Sequence, residues 1–121
     1  MSISTEFREK VLALIKSIPE GKVMTYGQVA AAVGEARGAR QVGMVLWGLD
    51  TGDDIPWQRV INAQGGISTY KVGSGEMQKS LLQAEGVEVS ADGKVDLKHY
   101  QWHPVAEVEK NQDQVRLFDP E

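Results

Sequence analysis

No cysteine occurs among the 121 residues. That absence excludes disulfides, thiolate metal sites and any thiol nucleophile without structural assumption. Histidine is nearly absent as well. His99 and His103 stand four apart, a spacing that suits a metal ion only on a helix, and Pro104 together with Tyr100-Gln101-Trp102 argues against a helix there. Both therefore read as exposed polar residues, and neither a metal nor another cofactor is expected. No window approaches the roughly 20 apolar residues of a membrane helix, so no membrane association is expected. The start, Met1-Ser2-Ile3-Ser4-Thr5-Glu6, lacks both a basic segment and an apolar export segment, which leads to the expectation of a cytoplasmic protein. An excess of positive charge is missing too, since the formal net charge is −4. Residues 86–121 carry eight acids and four bases, whereas residues 1–85 carry nine of each. The acidity belongs to the C-terminal part. Any nucleic-acid binding must then rest on local basic placement, with a shallow salt dependence.

What is present fits one domain. The composition is 41% hydrophobic and 25% charged, and a chain of this length buries roughly two-thirds of its unfolded surface, enough for one sizeable core. Phe7, Val11, Leu14, Ile15 and Ile18 repeat at helical spacing behind Ser4 or Thr5, so residues 5–18 read as an amphipathic helix that Pro19-Glu20-Gly21 ends. Thr25-Tyr26-Gly27-Gln28 has capping-box form and opens a short helix through Val33, closed by Gly34. A further helix is expected over about 37–49, with Val42, Val45, Leu46 and Leu49 facing inward. The two short helices make a helix-turn-helix candidate, a pattern that ordinary cores also contain.

Beyond the polar turn Asp50-Thr51-Gly52-Asp53-Asp54, Arg59 to Asn62 read as a short strand, and Ala63-Gln64-Gly65-Gly66 as a hairpin-like turn before Ile67-Ser68-Thr69-Tyr70, resembling a wing. Ser74 is expected to cap a helix through about Glu85, stopped by Gly86. Val87 to Val89 and Lys94 to Leu97 suggest a hairpin around Ala91-Asp92-Gly93. Residues 105–121 form an acidic tail, either docked or unstructured, so the domain is set at 1–104.

Tyr26, Ala39-Arg40-Gln41-Val42-Gly43, Ile55-Pro56-Trp57-Gln58-Arg59-Val60 and Leu81-Leu82-Gln83-Ala84-Glu85-Gly86 resemble the C-terminal domain of O6-alkylguanine-DNA alkyltransferases over about residues 5–86. That family carries Pro-Cys-His-Arg-Val, where this chain reads Pro-Trp-Gln-Arg-Val, and tryptophan at that position is the mark of the alkyltransferase-like proteins. The resemblance implies a mainly α fold with small β elements, a winged-helix-like helix-turn-helix domain of the alkyltransferase C-terminal type.

It also implies a division between lost chemistry and kept handling of DNA. Dealkylation in the family needs a thiolate activated through a water by the adjacent His, itself held by a Glu. Trp57 offers no nucleophile, Gln58 is no general base near neutral pH, and Glu85, at the relay position, reads as a structural carboxylate bonded to backbone or to Arg59. By resemblance, Tyr26 crowds the phosphate beside the target nucleotide and Arg40 fills the vacated stack, a task that suits a planar cation. Ala36, Gly38, Ala39 and Gly43 keep one region of the helix small. Close approach to a minor groove explains this, with tight helix packing as the alternative.

A lesion pocket of Pro56, Trp57, Gln58, Arg59, Ser68 and Tyr70 is implied. The family's Asn at the end of the recognition helix falls on Leu49, a departure that bears on the following turn. Trp102 and Pro104, outside the match, are expected to pack back on the domain, with covering of the pocket as the alternative. The expected function is non-enzymatic: a monomer binds O6-alkylguanine in duplex DNA, flips it out and flags it for nucleotide excision repair proteins. The competing reading is a winged-helix regulator of undamaged DNA, which needs major-groove readers that this small, glycine-rich helix does not supply.

Overall fold

Helix α1 spans Thr5–Ser17 because its first and last turns are locally satisfied. The Ser4 hydroxyl accepts the Phe7 N–H at 3.0 Å, Glu6 sits near the positive end and Lys16 near the negative end. Ile18 ends it in an extended conformation, as a residue before proline must. A computed structural model describes residues 3–49, 54–67 and 73–104. The acidic tail, Ser68, Tyr70 and the Asp50 to Asp53 turn lie outside the described residues.

Helix α2, Tyr26–Ala32, opens with the expected capping box: Thr25 Oγ1 accepts the Gln28 N–H and Gln28 Oε1 accepts the Thr25 N–H, both at 3.1 Å. It closes through Gly34 at φ +90°, with Glu35 N–H bonded to Ala30 O and Gly34 N–H to Ala31 O. This paired bonding is a Schellman stop, which requires a left-handed residue. Helix α3, Ala39–Trp47, starts two residues later than the hydrophobic spacing predicts. Gly38 N–H still closes a turn on Glu35 O at 2.7 Å, and the turn is tight enough that a Cβ on Gly38 would meet Glu35 O at 3.0 Å.

Strand β1 (Met24–Thr25) pairs in parallel with β2 (Val60–Ile61), Met24 opposite Val60 and Thr25 opposite Ile61. A parallel pair requires a long crossover, and α2 with α3 supplies it. The strands' alternation divides the interior in two. Met24 and Val60 join Val11, Ile15, Val29, Val42 and Val45 in a core under α1 to α3. Val23 and Ile61 point the other way, into a core with Ile67, Leu82, Val87 and Val95.

The turn after β2 is built as expected, with Asn62 Oδ1 accepting the N–H groups of Gln64 and Gly66. The expected partner, Ile67 to Tyr70, lies mostly outside the described residues, and a second neighbour is seen that the sequence did not suggest. Gly66 bridges Lys94, and the Val95 N–H donates to Gly65 O at 2.8 Å. A Cβ on Gly65 would lie 2.5 Å from Val95 O, so only glycine permits this approach. Lys94 and Val95 are thereby taken from the hairpin foreseen with Val87 to Val89, which shrinks to its tight turn at Ser90 to Lys94.

Helix α4 covers Gly75–Ala84, with Ser74 at the N-cap position but no side-chain cap bond. Gly86, at φ +92°, ends it by the same paired bonding, Val87 N–H to Leu82 O and Gly86 N–H to Gln83 O. The sequence reading placed no helix around His99. Instead Leu97–Tyr100 forms one turn, α5, capped by Asp96 and finished well before Pro104. His99 and His103 are both exposed, and the His99 ring lies edge-on to Tyr100 with centroids 4.5 Å apart.

Candidate nucleic-acid interface

Capping places Tyr26 as the first residue of α2, half-buried beside the first core. Its ring reaches α3: a Cβ added to Gly43 would meet Tyr26 Cε1 at 3.9 Å and nothing else within 4 Å. The two glycines expected to serve one purpose therefore differ. Gly38 sits in the tight turn before α3, where a Cβ would press on Glu35, whereas a Cβ on Gly43 would make only an ordinary contact with the Tyr26 ring. Ala39 and Arg40 are the first two residues of α3. Arg40 is exposed, on the side of the helix opposite the buried Val42 and Val45, and no ion pair among the described residues engages it.

Trp57 opens a 3-10 turn, Trp57–Arg59, that follows Pro56. Its own N–H bonds Ile55 O at 2.8 Å, and Arg59 N–H bonds Pro56 O at 3.0 Å. The turn is fixed from α4 by a residue that sequence reasoning missed. Gln78 is 1% exposed, and its amide donates to both Gln58 O and Val60 O at 3.0 Å. The signal was a polar residue on the buried stripe of Gly75, Gln78 and Leu82, since a buried amide needs partners. Pro56, Trp57, Gln58 and Arg59 are all half-buried.

Glu85 gathers three segments. Its Oε1 accepts the Gly21 N–H at 3.0 Å and Arg59 Nε at 2.9 Å, and its Oε2 accepts Gln58 Nε2 at 2.6 Å. Arg59 further donates to Ile18 O at 2.8 Å. Burial is the largest single influence on this carboxyl and pushes its pKa up. Hydrogen bonds from Arg59, Gly21 and Gln58, with the Arg59 charge, together outweigh it and hold the pKa below the ordinary glutamate value. Glu85 is thus the structural carboxylate that the sequence suggested.

One consequence is testable by restoring the missing thiol. Trp57→Cys is expected to give no robust alkyl transfer, because a thiol of ordinary pKa is only a few per cent thiolate near pH 7 and Gln58 is both non-basic and already bonded to Glu85. Incubation with a duplex labelled on an O6-methyl group should leave the label on DNA. Rapid S-methylation would contradict the account.

The segment beyond α5 packs back as expected. Val23 N–H bonds Tyr100 O at 2.9 Å, Trp102 N–H bonds Val23 O at 2.8 Å, and the Trp102 side chain packs on the first core. Gln28, already in the capping box, donates to Trp102 O and accepts from Gln101 Nε2. The start of the Tyr26 helix is therefore tied to residues 101 and 102.

The model of the 6-O-methylguanine DNA methyltransferase DNA-binding domain matches residues 6–87. The chain is 46% identical over 99 residues to the DNA base-flipping protein of Vibrio parahaemolyticus, covering 82% of this chain and 98% of that one. It is 42% identical over 104 residues to alkyltransferase-like protein 1 of Schizosaccharomyces pombe, covering 82% and 96%. The crystal structure of S. pombe Atl1 with damaged DNA containing O6-carboxymethylguanine matches the fold with a TM-score of 0.77 at 42% identity, over 85% of this chain and all of that one. The chain belongs to the alkyltransferase-like proteins within the O6-methylguanine methyltransferase family. With no cysteine, it does not carry out that family's alkyl transfer.

Proposed function

We propose that this protein binds O6-alkylguanine in duplex DNA through the minor groove, turns the nucleotide out of the stack and holds it for nucleotide excision repair. The observation that carries the reading is the Tyr26 ring beside Gly43 on α3, one turn from the exposed Arg40. In this reading Tyr26 crowds the phosphate next to the lesion, Ala39 and Gly43 let the helix approach the groove, and Arg40 occupies the gap left by the base. The half-buried Pro56, Trp57, Gln58 and Arg59 are the residues proposed to receive the base, and Ser68 and Tyr70, which lie outside the described residues, are assigned to the same role by the family resemblance alone. The structures of S. pombe Atl1 with damaged DNA containing O6-carboxymethylguanine and of S. pombe ATL with DNA support the assignment.

The energetics are compatible with recognition without reaction. Flipping a normal base costs a few kcal/mol, less for a damaged pair, and an aromatic platform returns about 1–3 kcal/mol per base. These nearly cancel, so burial of the alkyl carbons at about 0.8 kcal/mol per CH₂ tips the balance toward the lesion. The chain has no thiol with which to remove the group, so removal falls to other proteins, for which nucleotide excision repair is the proposed route. Titration with two duplexes that differ only in one O6-methyl group tests the reading, and tighter binding to the methylated duplex is expected. Equal affinity for both, with a preference among undamaged sequences, would point to a regulator instead.

A further inference from the structure

The outward stripe of α3 carries more than Arg40. Met44 and Trp47 stand four and seven residues beyond it, on the side opposite the buried Val42 and Val45. They are 48% and 71% exposed. Tryptophan is seldom left so open, and it is a poorer helix former than alanine. The core face of α3 is already filled, so folding gives no reason for an aromatic at this position.

Resting on the damage-recognition reading, we propose that Trp47, backed by Met44, is a second DNA-docking element that packs into the minor groove beyond Arg40 and grips the duplex whether or not a lesion is present. Two features select DNA as the occupant. The stripe is continuous with Arg40, and α3 carries no acidic residue to repel phosphates. A minor groove is walled by sugar C–H edges, and apolar side chains are known to wedge against or between its base steps. Seven residues of helix rise about 10.5 Å, and stacked base pairs are about 3.4 Å apart. Because the groove is inclined to the duplex axis, a helix lying along it sets Trp47 about two to three base pairs from the nucleotide that Arg40 replaces. Contact with sugars carries little sequence information, which suits a search over arbitrary DNA.

The test uses the full chain with methylated and unmodified duplexes. Trp47→Ala is expected to weaken both complexes about tenfold, with their affinity ratio unchanged. Because no charge is lost, the slope of log K against log salt should stay at the wild-type value. Trp47→Phe should recover most of the loss. Comparison of wild type with Trp47→Phe also isolates the Trp47 fluorescence, which acrylamide should quench in the free protein and much less in the complex. Wild-type affinity of the alanine variant, a loss confined to the methylated duplex, or undiminished quenching in the complex would each overturn the proposal. Failure of the damage-recognition reading looks different. In that case the wild type shows no preference for the methylated duplex, while the Trp47 loss persists on both.

Discussion

Glu85→Ala is expected to lower folding stability by about 3 kcal/mol, the cost of leaving one partner of a mostly buried ion pair alone. The side chains of Arg59 and Glu85 are 15% and 9% exposed, so water cannot readily replace the lost carboxylate. The Gly21 N–H and the Gln58 amide lose their acceptor in the same step. Glu85→Gln keeps the shape and one acceptor oxygen, and a smaller loss of about 1–2 kcal/mol is expected. Urea midpoints at constant m-value give both numbers. Since the folded carboxyl titrates below its ordinary value, its contribution is complete above about pH 4.3, the unfolded glutamate pKa, and fades as pH falls through the folded pKa. The acid side of the wild-type stability profile should therefore be steeper than that of Glu85→Ala. Identical acid flanks would mean that the carboxylate only fills space.

Arg40→Ala is expected to weaken binding to a duplex containing O6-alkylguanine about 30-fold, as for a central side chain worth about 2 kcal/mol. A lesion already in single-stranded DNA leaves no gap in a stack and no orphaned partner base, so the loss there should stay within about threefold. Arg40 is exposed and outside both cores, which keeps the effect on folding within about 0.5 kcal/mol. Equal losses on the two substrates would reduce Arg40 to a phosphate contact.

Features written in neighbouring residues were legible in the sequence. The Thr25 to Gln28 capping box, the stops at Gly34 and Gly86 and the family match over residues 6–87 emerge where local patterning placed them. Features that depend on distant segments were not. Two-residue strands carry no periodicity, so the pairing of Met24–Thr25 with Val60–Ile61 had no local sign. The hairpin expected after Val87 has correct turn chemistry, yet Gly65 lets a distant segment come close enough to claim the backbone of Val95. In the site, the roles of Trp57 and Glu85 were legible through the family resemblance, because once the positions are aligned the missing thiol and missing base are matters of residue type. Gln78 required knowing which face of α4 is buried.

The bonds that hold position 57 run through main-chain atoms: Ile55 O, Pro56 O, and the Gln78 amide on Gln58 O and Val60 O. None of these bonds involves the side chain at position 57, so replacing that side chain breaks none of them. Position 57 can thus change without loss of a hydrogen bond, while position 58 is tied through its side chain to Glu85. An evolutionary path between repairing a base and only reporting it would need to change both, and the second change must keep the Glu85 knot tied.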